Sequence, residues 1–257
     1  MNIKFYKIEC LTNLHVGSGE VNYNIVDNEV EKDPVTALPV IHASGVKGAL
    51  REALKGLYRL DQIDEIFGKP GENNESGSGT HKFLDATLIA RPMRVWGQGT
   101  RSFVSVVTPD SVNVFLKKLD AFGVNPFEMK SLSEIVFGKF NFLTSFAESI
   151  RVENEPTGEM SESAKAEVGK LASVIGADVA VVRKFDDYDL PVVARNCLQD
   201  KKGNLWYEEV VPHGSVLYFA VIYPDGCNEE LKFPPVVQFG GNASIGCGFT
   251  KITKIAG

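Results

Sequence analysis

The sequence predicts an α+β fold, with helices laid against a largely antiparallel sheet. Three observations predict it. Two segments, 45–60 and 108–122, carry helical periodicity, and the last quarter of the chain is a succession of short apolar runs separated by turn residues. Helices and strands do not alternate one for one, which argues against a doubly wound parallel sheet and for a sandwich. A chain of 257 residues that is 44% hydrophobic is also long enough to bury roughly 70–75% of its unfolded surface without a disulfide or metal staple. One domain with polar insertions accommodates all three.

Composition excludes several classes. The 27 basic and 33 acidic side chains leave a net charge of −6, which weighs against a free-standing nucleic-acid binder but allows a local basic stripe. No run approaches the ~20 apolar residues of a membrane span, and the opening MNIKFYKIEC lacks the apolar core of a secretion signal. A cytoplasmic protein is expected. Cys10, Cys197, Cys227 and Cys247 form no CxxC pair, so neither a zinc knuckle nor a disulfide framework is expected.

Residues 2–11 read as a strand whose apolar residues fall on both parities, Ile3 and Phe5 against Ile8 and Cys10, which requires a bulge or burial on both faces. A turn-rich corner, Leu14 to Gly19, leads into a polar stretch from Glu20 to Asp33. Ser44 is placed to cap a helix over 45–60. Val46, Ala49, Leu50, Ala53, Leu54 and Leu57 make its apolar face, and Lys47, Arg51, Lys55 and Arg59 a basic stripe beside it. Residues 69–81, rich in Gly, Asn and Ser, predict a mobile loop. A strand is expected over 84–95, then a helix from Thr108 to Phe122 with a Thr-Pro start. The polar stretch 151–170 reads as an excursion, and 178–193 opens with the apolar run Val179 to Val182 before the acidic patch 186–189. Strands are expected over 205–211, 216–223, 236–239 and 249–255, with glycines 240, 241, 246 and 248 bracketing a tight turn.

Four groups of residues could carry chemistry. His15, with Asp27 and Asp33 across the polar loop, suits proton transfer, and a loop carboxylate can hold Mg²⁺ or orient a hydroxyl. On spacing alone the simpler reading is preferred, with the aspartates serving turn chemistry and the histidine packed under the first strand. Ser44 and Gly45 at a helix start, with Lys47 and Arg51 one and two turns on, suit phosphate, although the spacing is not that of a P-loop. The loop Gly240, Gly241, Asn242 through Gly246 and Gly248 allows close backbone approach. In Leu205-Trp206-Tyr207-Glu208-Glu209, alternation puts the two carboxylates on opposite faces of a strand, so at most one joins a given site.

Taken in order, Leu14-His15-Val16-Gly17-Ser18-Gly19, Val26-Asp27-Asn28, the stretch from Asp33 to Arg51 and the loop Gly240 to Gly246 resemble the RAMP superfamily of CRISPR–Cas systems. Asp85-Ala86 through Arg94, and Asn204 to Pro212, are similar to the backbone-subunit family of type III-B effector complexes, the fourth of the Cmr set. Two places depart from that pattern: Glu29-Val30-Glu31-Lys32 carries extra acid, and Ala37 replaces a common glycine.

The resemblance implies a ferredoxin-like (RRM-like) core with an inserted lid and a β-hairpin thumb, all in a single domain over 1–257, with the lid and thumb within 151–200 and the thumb within 178–200. It implies CRISPR RNA, target RNA, further copies of the chain and other type III-B subunits as partners, and no membrane. Target RNA would be cut at regular intervals by attack of a 2′-hydroxyl on its own phosphate, giving a cyclic phosphate, with Mg²⁺ or Mn²⁺ assisting. Asp27 would be catalytic and the metal ligand, with His15 and either Glu208 or Glu209 as weaker carry-overs. Ser44, Gly45, Lys47, Arg51, Gly240, Gly241, Asn242 and Gly246 would face RNA. The rival readings are a non-catalytic guide-binding scaffold, a RAMP endonuclease that matures guide precursor, and an unrelated phosphate-binding enzyme.

Overall fold

β1 (Asn2–Cys10) sets the layering. In the computed structural model it turns Ile3 and Phe5 into one hydrophobic core and Tyr6, Ile8 and Cys10 into another. Burial on both faces therefore accounts for the double parity. A bulge is present as well, on the partner strand, where the register shifts opposite Phe5 and Tyr6. The structure describes residues 2–17, 19, 25–69, 77–97, 102–146, 150–185, 190–199, 202–227 and 229–256. Most of the loop expected at 69–81 and all of the acidic patch 186–189 lie outside them.

The chain continues through β2 (Val40–Ile41), α1 (Ala43–Leu54), α2 (Leu60–Phe67), β3 (Lys82–Phe83) and the long β4 (Ala86–Gly97). Next come β5 (Phe103–Val107), α3 (Pro109–Ala121), β6 (Phe142–Thr144), β7 (Ile150–Val152), β8 (Glu155–Glu159), α4 (Glu162–Ile175) and β9 (Val179–Val182). β10 (Val192–Gln199) and β11 (Lys202–Glu209) form a separate hairpin, and β12 (Val216–Tyr223), β13 (Val237–Gln238) and β14 (Phe249–Ala256) complete the chain.

The expected α+β architecture is present. A sheet ordered β13-β14-β1-β12-β4 has antiparallel pairings throughout. Side chains from α1 and α2 join the core on one face, those from α3 and α4 the core on the other. β12 is buried on both faces, its residues alternating between the cores, and each apolar side chain removed from water there contributes about 1.5–3 kcal/mol. Among the described residues no helix is long and apolar enough to cross a membrane.

One feature was absent from the sequence reading. β4 outruns the sheet, and its second half pairs with both β5 and β7, closing a ring β4-β5-β9-β6-β8-β7. This six-stranded barrel has its own small core, including Met93, Val104, Phe142, Val152 and Val182. The polar stretch 151–170 is therefore not an excursion. It supplies part of β7, all of β8 and most of α4, whose outer residues are polar because they face solvent.

Two local expectations are corrected. The helical period over 45–60 is interrupted at 55–59, leaving Leu57 and Leu60 exposed, so there are two helices rather than one. Ser44 lies inside α1 and does not cap it. The residue at the cap is His42, in an extended conformation, and the free N–H of Ala43 donates to Asp85 Oδ1 at 2.6 Å, a partner 42 positions away. α3 begins as expected, with Thr108 and Ser111 bonding reciprocally at 2.9 and 3.1 Å behind Pro109.

Candidate active site on the open edge of β11

β10 takes the hydrogen bonds on one edge of β11, so Tyr207, Glu209 and Val211 present their backbone groups on the other edge. Two pieces of chain fill that edge in succession, Asp27-Asn28 and then Leu14-His15. Asp27 donates its N–H to the Tyr207 carbonyl at 3.1 Å, and its Oδ2 accepts the Tyr207 N–H at 2.8 Å. Asn28 accepts the Glu209 N–H at 2.9 Å. His15 Nδ1 lies 2.7 Å from the Glu209 carbonyl, and Leu14 exchanges both backbone bonds with Val211 at 2.8 Å. Asp27 and His15 are thus anchored two residues apart on one strand, about 7 Å along it.

The His15 bond fixes its tautomer. A carbonyl can only accept, so Nδ1 carries the proton and Nε2 is the nitrogen left to accept or carry a further one. Nε2 faces Gly17, where a Cβ would stand 3.0 Å away. A glycine at 17 keeps that nitrogen open.

Glu208 and Glu209 point to opposite faces, as alternation requires. Glu209 accepts Val30 N–H and Lys32 Nζ, both at 3.0 Å, which pins the polar loop to the hairpin. Glu208 accepts Trp206 Nε1 at 2.9 Å, Arg195 Nε at 3.0 Å and Asn242 Nδ2 at 3.0 Å. Burial works against its ionisation, but the Trp206 and Arg195 bonds and the charges of His15 and Arg195 outweigh it and hold the carboxyl below the usual carboxylate range.

The glycine-rich loop packs on the same centre. Gly241 donates its N–H to the His15 carbonyl at 2.9 Å, and a Cβ at Gly240 would come within 2.2 Å of that oxygen. Only glycine fits there, at φ 72°. Asn242, left-handed at φ 61°, begins the short turn that Gly246 ends. Gly240 also shares a groove of about 630 Å³ with Gly45 and Gly48 of α1, so the helix start and the glycine loop meet there, while Gly246 lines a separate hollow beside Arg195.

Other expected members stand apart. Asp33 spends its Oδ1 on the N–H groups of Val35 and Thr36 and the Thr36 hydroxyl, an Asx turn, and these bonds lower its pKa. Lys47 and Arg51 do not line the groove. Arg51 is engaged with the Gly68 carbonyl at 2.8 Å and Asp64 Oδ1 at 2.9 Å, while Lys47 has no ion pair among the described residues. Ser44 is exposed on the first turn.

The RAMP superfamily family model matches residues 7–251. The chain belongs to the RAMP superfamily. Among curated RAMP relatives, a protein of Pyrococcus furiosus named CRISPR system Cmr endoribonuclease Cmr4 is 27% identical, with 95% of this chain and 92% of that protein covered. Two solved structures share the fold. A type III-B Cmr-beta complex bound to cognate target RNA contains a chain with TM-score 0.78 at 21% identity, covering 99% of this chain and 98% of that one. Oligomeric Cmr4 from Pyrococcus furiosus gives 0.74 at 21% identity, covering 100% and 99%.

In this RAMP chain no three His, Cys, Asp or Glu side chains among the described residues converge as a metal would require. Asp27 offers one carboxylate, with one oxygen already bonded to Tyr207. A Mg²⁺ or Mn²⁺ ion held by Asp27 would therefore take most of its oxygens from RNA phosphate and water rather than from the protein. The sequence reading missed Arg195 and the anchoring by β11. Arg195 stands in a run with no motif, and a backbone edge leaves no trace in residue identities.

Proposed function

We propose that this chain is the CRISPR RNA-binding backbone subunit of a type III-B effector complex, that it multimerises along the guide and cleaves complementary target RNA at regular intervals. The names of its relative and of the solved complexes support this reading, and so does the meeting of His15, Asp27 and the glycine loop at one strand edge. That last observation carries it. We read the strands β14, β1, β12 and β4 as the ferredoxin-like core, the β10–β11 hairpin as the thumb, running to Glu209 and so past the expected 178–200, and the barrel as the inserted lid, which begins in β4, ahead of the expected 151–200.

Cleavage needs a 2′-hydroxyl to form a bond to its adjacent phosphorus while the bond to the 5′-oxygen breaks. Two protons move, one off the hydroxyl and one onto the departing oxygen. Asp27 takes the first, and His15 supplies the second from Nε2 in its protonated form. Holding the target nucleotide in line beside the thumb supplies most of the rate. A Mg²⁺ or Mn²⁺ ion, if bound between Asp27 and the RNA phosphate, would neutralise charge on that phosphate. Gly45, the exposed Ser44, the half-buried Lys47 and the loop glycines Gly240, Gly241 and Gly246 form the RNA face, with Arg51 bracing α1 behind it and the Asn242 side chain turned away to Glu208. Guide pairing supplies sequence choice.

The scaffold reading has one observation in its favour: Asp27 Oδ2 is occupied by the Tyr207 N–H, a structural use of the same carboxylate. Reconstituted complex containing Asp27→Ala, compared with wild type at matched guide and target occupancy, decides between the two. Loss of the regularly spaced products with binding intact establishes cleavage at Asp27. A persistent ladder places the chemistry elsewhere, and a wild-type complex that binds without cutting makes the chain a scaffold.

A further inference from the structure

We infer that Glu208 is a positioning residue, whose carboxylate clamps the β10–β11 hairpin to the glycine-rich loop through Asn242 and thereby sets the place of His15. This rests on the cleavage reading above and assigns Glu208 a role other than proton transfer.

The geometry points to a clamp. Glu208 Oε1 accepts from Trp206, its neighbour on β11, while Oε2 accepts both from Arg195, across the hairpin on β10, and from Asn242 of the glycine loop. Its side chain is 7% exposed. Both oxygens are therefore engaged, three N–H donors sharing about four lone-pair sites, which favours the ionised carboxylate and spends most of its accepting capacity on holding the hairpin and the loop. Arg195 extends the same tie, since its Nη2 donates to Cys247 Sγ at 3.3 Å at the far end of the loop.

His15 is held from two sides by the elements that Glu208 joins. The glycine loop grips its carbonyl through Gly241 N–H at 2.9 Å, and β11 grips its ring through the Glu209 carbonyl at 2.7 Å. Loop and hairpin share no covalent neighbour here: Glu208 and Asn242 are 34 positions apart. If the clamp opens, the two grips on His15 move independently, and in-line geometry tolerates little displacement.

The test is an amide–carboxylate exchange in the guide-loaded complex, read by single-turnover cleavage from about pH 5.5 to 8.5. Asn242→Asp sets two carboxylates against each other and is expected to slow cleavage at least ~10-fold with target binding retained. Combining it with Glu208→Gln removes the like-charge contact and restores a donor and an acceptor across the same gap, while one acceptor for Trp206 or Arg195 is lost; it is expected to recover at least about threefold of the lost rate with an unchanged pH profile. A proton-transferring Glu208 predicts the opposite: Glu208→Gln alone and the double variant are both inactive and lose one limb of the profile. Failure of the double variant to recover overturns the clamp. Should Asn242→Asp not fold, Asn242→Ala deletes the donor alone, and wild-type activity in it likewise overturns the proposal. Deuterium uptake over 240–248 in the free chain separates this from the parent reading. It should rise in Asn242→Asp and return in the exchange even if the complex proves not to cut, and an unchanged uptake refutes the clamp independently of cleavage.

Discussion

Asp27 and Tyr207 meet twice, the Asp27 carboxylate accepting the Tyr207 N–H at 2.8 Å while the Tyr207 carbonyl accepts the Asp27 N–H at 3.1 Å. The polar loop therefore travels with the hairpin, and chemistry at Asp27 can be separated from its hold on the loop. Asp27→Asn keeps an oxygen for the Tyr207 N–H but loses the base. We expect it to lower cleavage by about 10²–10⁴-fold, as Asp27→Ala does, with target affinity retained. Wild-type cleavage by the Asn variant would mean that the carboxylate serves only to place the loop.

Gly17 tests the assignment of His15 Nε2. An alanine Cβ would sit 3.0 Å from that nitrogen, closer than a relaxed contact allows. Gly17→Ala should reduce the cleavage rate more than about 10-fold at saturating target, leaving thermal stability and guide binding near wild type. An unaffected rate would remove His15 Nε2 from the reaction.

Lys47 and Arg51, equivalent in the sequence, should part company in experiment. Lys47→Ala is expected to weaken RNA binding and flatten its log–log salt dependence by about one unit per subunit contact, with unchanged stability. Arg51→Ala removes the bonds to Asp64 and the Gly68 carbonyl and should cost about 1 kcal/mol in denaturant unfolding. Equal salt slopes in both variants would contradict the division.

His81 makes the fold acid-sensitive. Burial pushes its pKa below the usual 6.5, with the Glu65 charge pulling the other way. The unfolded chain takes up this proton near pH 6.5 and the folded chain only at lower pH. Its contribution is therefore complete above about 6.5 and is lost as pH falls from there towards the folded pKa. Urea unfolding at about pH 7.5 and 5.5 should show the loss, and His81→Phe should reduce it. An identical pH slope in the variant would refute the assignment.

Ala37 adopts φ 56°, where a side chain is strained and glycine is not. Ala37→Gly should stabilise the chain by about 0.5 kcal/mol or more in the same unfolding measurement, because relief of strain exceeds the added flexibility of the unfolded chain. A loss of stability would show that the Asx turn of Asp33 depends on the methyl group.

Much of this was legible in the residues themselves. The double parity of β1, the capped start of α3 and the exact span of β12 depend on periodicity and on neighbours within a few positions, and those forces act locally. The opposite faces of Glu208 and Glu209 follow from the pleat alone. The start of α1 was not legible, because its first N–H is satisfied by Asp85 from another segment. The barrel was hidden for a similar reason: three-residue strands such as β6 and β7 carry too few side chains to show a period. The site divides in the same way. Sequence determined which residues could carry chemistry, since a histidine, a loop aspartate and a glycine run are visible as residue types. Only the tertiary structure decided which of them meet: Asp27 and His15 share the edge of β11, Asp33 closes its own turn, and Arg51 pairs with Asp64. Hydrogen bonds to backbone groups make that choice for Asp27, His15 and Asp33, and nearly every residue type offers the same backbone groups.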